Sequence, residues 1–139
     1  MVRDGLIETE SITRCTDGRL LYSEKEAGVV RQLTEDRRDP IVIANLNQPT
    51  FLMCDQRGLW ISEDSTHRAR LLLIDPQGRQ HTILSFLKAP QSIIATSSKT
   101  YLVAEGGRNR VLELALAFAD EAEPQAYLQG HVIDGVAAE

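Results

Sequence analysis

The apolar positions of this chain fall in short runs separated by polar punctuation, and the runs recur. Arg19-Leu-Leu-Tyr-Ser-Glu24, Gly58-Leu-Trp-Ile-Ser-Glu63 and Thr100-Tyr-Leu-Val-Ala-Glu105 are each a short apolar run that ends in a small residue and a glutamate. The glutamates stand 39 and 42 residues apart. A period of about 40 residues with several short strands per period predicts a repeat architecture of propeller-blade type.

Aligned on these glutamates, each repeat predicts four strands. The first strands are Ser11–Thr16, Thr50–Asp55 and Gln91–Thr96, and the second are the runs that end in glutamate. Asp17-Gly18 and Arg57-Gly58 mark tight hairpins between them in the first two repeats, as Asp-Gly between β-rich runs does. The third strands are Gly28–Leu33, Ala69–Ile74 and Arg110–Leu114, and the fourth are Ile41–Ala44, His81–Phe86 and Gln125–Leu128. Asp75-Pro76-Gln77-Gly78 has the residues of a β-turn. Pro49 and Pro90 open the second and third repeats, at a strand entrance where proline is tolerated. Ala115–Pro124 reads as an irregular insertion, and Val132-Ile133 in the tail as an extra strand.

The second strands are apolar almost without alternation, which predicts sheets covered on both faces. Trp60 and Tyr22 are assigned to matching strand positions in the core. The expected fold is all-β: three four-stranded blades at 8–47, 48–88 and 89–130, with a tail at 131–139. Three blades are half of a six-bladed ring. An open arc would expose two apolar faces, so head-to-tail homodimerisation is expected to close it. The rival is a three-blade piece of a longer protein. Met1 and the Ala-Ala-Glu139 end favour a complete chain.

Composition narrows the functional classes. With 15 basic and 20 acidic residues the net charge is −5, a poor balance for nucleic acid. No apolar stretch reaches the length of a membrane span, and the N-terminus lacks signal-peptide character. A cytoplasmic location is therefore expected. Cys15 and Cys54 lie one repeat apart. Inner strands of neighbouring blades are expected to hold them too far apart for a disulfide, so both read as buried small hydrophobes. A metal or redox pair lacks Cys-x-x-Cys spacing.

Tyr101–Glu105 followed by Gly106-Gly-Arg-Asn-Arg-Val111 resembles an NHL-type propeller repeat, with Glu105 where that family has Asp and Ser92 where it has Gly. Leu71-Leu-Leu-Ile-Asp-Pro-Gln-Gly-Arg79 is similar to the wider group of gluconolactonases, senescence marker protein and strictosidine synthase-like proteins. The resemblance covers about residues 8–130. It implies a ligand face built from the loops before first strands and after second strands, around the ring axis.

Those loops supply the candidate ligand residues Glu24, Glu63, Glu105, Thr50, Gln91, Asp64, His67 and Arg108. The three glutamates could form a carboxylate ring holding a divalent cation such as Ca²⁺, or each could accept hydrogen bonds from its own loop. Asp64 and His67 share a loop, where the histidine could act as a general base. The lactonase-like relatives bind their metal partly through Asn at first-strand entrances. Thr50 and Gln91 occupy those places here. No Gly-x-Ser-x-Gly elbow or phosphate loop is present. Two functions remain open: a binding module for a small molecule or peptide, and a metal-dependent lactonase-like hydrolase.

Overall fold

The computed structural model describes residues 2–65, 68–118 and 127–135. It is all-β, with twelve strands in three antiparallel four-stranded meanders. The first sheet holds β1 (Thr9–Arg14), β2 (Leu20–Glu24), β3 (Val29–Gln32) and β4 (Ile41–Ile43). The middle sheet holds β5 (Pro49–Asp55), β6 (Gly58–Glu63), β7 (Ala69–Ile74) and β8 (Gln80–Leu87). The third holds β9 (Pro90–Ala95), β10 (Thr100–Glu105), β11 (Arg110–Phe118) and β12 (Tyr127–Gly135). Within each sheet every strand pairs with the next in sequence, so local hairpins build the whole architecture.

The middle sheet explains the lost alternation. Leu59, Ile61, Leu72 and Ile74 pack toward the first sheet, with Leu21, Val30 and Leu46. Trp60, Leu71 and Leu73 alternate with them and pack toward the third sheet, against Tyr101, Val103 and Leu112. Neighbours in the chain thus serve opposite cores, and both must be apolar. Burying each such side chain contributes about 1.5–3 kcal/mol. The turn into β6 needs Gly58, whose φ is +134° and whose added Cβ would sit 2.0 Å from the Ile74 carbonyl oxygen. No side chain fits there.

Four expectations are corrected. Cys15 and Cys54 form a disulfide, with Cα atoms 4.9 Å apart, inside the usual range for such a bridge. The reason is the close approach of β1 and β5. The Leu52 and Cys54 amides donate to the Ser11 and Thr13 hydroxyls at 3.1 and 3.2 Å, so the two first strands run side by side. Next, β11 continues through Ala115 to Phe118 instead of breaking into an irregular insertion. Leu112, Leu114 and Leu116 are buried in turn, a period-two pattern that persists into the Ala-rich stretch. The remainder of that stretch, 119–124, lies outside the described residues. Third, Val132-Ile133 belongs to the fourth strand itself, which pairs with β11 as far as Gly135; the sequence placed that strand at Gln125–Leu128. Finally, Trp60 and Tyr22 do not match. Counted from the glutamates, Trp60 aligns with Leu21, and Tyr22 points away from the middle sheet.

The outer side of the first sheet is crossed by the N-terminal arm. Arg3 makes two bonds to Asp39, at 2.8 and 3.0 Å, and Arg37 donates to the Val2 carbonyl at 2.9 Å. Asp39 also accepts the Tyr22 hydroxyl at 2.8 Å. The Arg3 guanidinium holds the Asp39 carboxyl well below its ordinary range, against the opposing effect of burial. Burial and the same carboxylate push the Tyr22 phenol up to about 12.

Candidate functional site

The three glutamates end their second strands at the same end of the molecule, and all are buried: Glu24 is 4% exposed, Glu63 1% and Glu105 0%. Each carboxylate has one oxygen on an arginine of the third strand and the other on a backbone N–H. Arg31, Arg70 and Arg110 donate through Nε at 2.6, 2.7 and 2.7 Å. The amides of Ile7, Asn47 and Lys88 donate at 2.9, 2.8 and 2.8 Å. Burial pushes the Glu24 carboxyl up, but the Ile7 amide and Arg31 outweigh it and leave it below its ordinary value. Glu105 follows the same balance, with Lys88, Arg110 and Arg108 prevailing over burial.

These bonds clasp the connection that leads into each first strand. The residue after each amide donor has a left-handed backbone: Glu8 (φ 48°), Gln48 (φ 55°) and Ala89 (φ 47°). Its carbonyl accepts the N–H of the residue after the glutamate, from Lys25, Asp64 and Gly106 at 2.8, 2.9 and 3.0 Å. Three residues earlier the backbone is left-handed again, at Gly5, Asn45 and Phe86. Each left-handed non-glycine residue costs about 1–2 kcal/mol. The glutamate, with its two charge-assisted or backbone bonds, holds the strained connector in place.

Between the second and third connectors lies a polar pocket of about 410 Å³, lined by Asn47, Gln48, Asp64, Ser65, Lys88 and Gly107 among others. Lys25 reaches across from the first sheet to Asp64 at 2.9 Å, and that carboxylate raises the lysine's pKa. The Lys88 ammonium has no such partner among the described residues, nor have the Asn47 and Gln48 side-chain amides. Among the described residues the pocket thus presents the Lys88 cation and several hydrogen-bonding groups that could meet a ligand.

The residues singled out from sequence separate into three groups. Asp64 lines the pocket. Glu24, Glu63, Glu105 and Arg108 hold connectors. Arg108 bonds Glu105 and the Phe86 carbonyl, the latter at 3.2 Å. Among the described residues the Thr50 and Gln91 side chains bond the carbonyls of the preceding connector, Gln48 at 3.1 Å and Ala89 at 3.5 Å. His67 lies outside the described residues. Among the described residues no group of three or more His, Cys, Asp or Glu side chains is placed to hold a metal. Each glutamate already faces a guanidinium, so the carboxylates do not fit a shared cation cage. Sequence reasoning put Gln48 and Lys25 in the ligand-face loops without singling them out, and missed Asn47 and Lys88. Arg31, Arg70 and Arg110, seven, seven and five residues after the glutamates, were the available signal that the carboxylates already had partners.

At the opposite end a larger pocket of about 570 Å³ opens between the first two sheets, with the disulfide, Asp17, Asp55 and Asp75 in its wall. Its carboxylates are engaged. Asp55 accepts the Trp60 indole N–H at 3.1 Å and the Tyr101 hydroxyl at 2.9 Å. Asp75 accepts the Gln77 and Arg79 amides and the Arg79 guanidinium, and pairs with the His81 ring nitrogen Nε2. Asp17 accepts the Arg19 amide and guanidinium. No protein-family model matches this chain, and no curated protein matches it significantly.

Proposed function

We propose that the three sheets are three blades of a β-propeller, half of a six-bladed ring whose other half a further three-blade unit supplies, and that the chain is a binding module. The ligand end is the one where the glutamate-held connectors meet. The observation that carries this reading is the pocket in which Lys88, Asn47 and Gln48 offer unengaged polar groups beside the Lys25–Asp64 pair. A small polar molecule, or a peptide end, with an anionic group for Lys88 fits that chemistry. The glutamates would act here as the frame. The Cys15–Cys54 bridge argues for an oxidising compartment over the reducing cytoplasm expected from composition.

The test is calorimetric titration with a panel of small organic acids, sugar acids and short peptides. A binder is expected, with affinity falling about 10- to 100-fold in Lys88→Ala, the size of one lost bond to a charged group, and with an unchanged melting temperature. A panel without any binder, or binding indifferent to both Lys88→Ala and Asp64→Ala, refutes the reading.

A further inference from the structure

The chain has two junctions between sheets but three connectors. Asn45-Leu46-Asn47-Gln48 joins the first sheet to the middle one, and Phe86-Leu87-Lys88-Ala89 joins the middle to the third. Gly5-Leu6-Ile7-Glu8 has the same two left-handed residues, the same amide on a buried glutamate and the same backbone bond to the residue beyond it. Leu46 is buried in the core between the first and middle sheets, and Leu87 in the core between the middle and third. Leu6, their equivalent, is only half-buried, in an apolar groove of about 320 Å³ with Val2, Ile12, Tyr22 and Leu33. The first sheet therefore carries a finished junction on a face that no sheet covers.

We infer that this near face of the first sheet receives the far face of the third sheet of a second copy of this chain. The inference rests on the propeller reading above. The far face is the matching surface. Ile93, Tyr101, Val103 and Leu112 point into the core, so Ile94, Leu102 and Val111, which alternate with them, point outward. Ile94 is 57% exposed and Val111 54%. Ile94 pairs with Leu102, and Val111 with Ala104, which gives one continuous apolar strip. On the near face Ile12 is 60% exposed. Charge agrees as well, with Arg14 beside Ile12 and Glu113 beside Leu102. In sequence, Asp134-Gly135-Val136 echoes Asp4-Gly5-Leu6 at the start of the first connector, and the third sheet's last strand reaches Gly135. Two copies joined in this way make two identical junctions about a two-fold axis and leave neither face open.

Solution mass measured by light scattering over a range of concentrations tests this. The wild-type chain is expected at twice its own mass. Ile12→Asp on the near face and Val111→Asp on the far face should each raise the dimer dissociation constant about 100-fold or more, the effect of burying an unpaired charge, with circular dichroism unchanged. Mixing the two variants should partly restore the dimer, because one of its two junctions is then free of both substitutions. A wild type that stays at one chain's mass overturns the pairing, as does a dimer sensitive to only one substitution, or a mixture that fails to recover. A monomer that still shows Lys88-dependent binding removes the pairing alone. A dimer that obeys the mixing rule without binding any ligand removes the binding reading alone.

Discussion

At the scale of single residues, charge is used here mainly to hold backbone. Glu24, Glu63 and Glu105 are buried carboxylates whose oxygens are taken by an arginine and a connector amide. Such an arrangement is expensive to break on one side, because the remaining partner is left buried and unpaired. Glu105→Gln should therefore lower stability at neutral pH by about 2–4 kcal/mol in urea denaturation. The pH dependence follows from the direction of the shifts. Glu24, Glu105 and Asp75 titrate below their ordinary values in the folded protein, in each case because their bonded partners outweigh burial. Their contribution is complete above the unfolded carboxylate range and is lost as pH falls through the depressed folded values. The urea midpoint should drop steadily below about pH 4.5, and Glu105→Gln should drop less steeply than wild type. A midpoint flat to pH 3 would contradict this.

At the scale of elements, the strands follow local pattern and the connectors do not. The second strands and the middle sheet's third strand lie where the apolar runs place them, because a run bounded by Gly or Asp-Gly and a glutamate has one register that buries it. The connectors were illegible. Phe86 and Ala89 adopt left-handed backbones that their types disfavour, and nothing local announces it. Long-range bonds fix them: the clasp from Glu105 and the Gly106 amide, with Arg108 on the Phe86 carbonyl and the Ala89 amide on Ser65. Ala89→Gly should relieve the left-handed cost and raise stability by about 0.5–1 kcal/mol, read as a shift in urea midpoint with the slope unchanged. A loss of stability would mean that the connector is not strained. The extension of β11 was missed for a different reason. Leu-Ala-Leu-Ala reads equally as helix or strand, and the pairing with β12 decides between them.

At the scale of the whole molecule, stability is shared between two cores that meet through the middle sheet. The first junction is also stapled covalently, Cys15 to Cys54 across 39 residues. Closing a loop of that size contributes about 2–4 kcal/mol. Reduction by a dithiol, or the Cys15→Ala/Cys54→Ala pair, should lower the melting temperature measurably, and no change on reduction would show that the bridge is absent in solution. Trp60, buried against Tyr101 with ring centroids 4.6 Å apart, reports on the unstapled second junction. Its fluorescence should follow the same loss.

The 39-to-42-residue repeat, the glutamates that mark it, the hairpin turns and the double-sided apolarity of the middle sheet were determined by the sequence alone. They are consequences of strand period, turn chemistry and burial, which act over a few neighbouring residues. What the glutamates bind was decided only in three dimensions, because their partners come from a connector 16 or 17 residues before them and an arginine five to seven after. Whether the cysteines meet was decided there too, since that depends on how closely β1 and β5 approach. So was the polar pocket, which residues from four separate segments enclose. Those are distances between parts of the chain that no local pattern encodes.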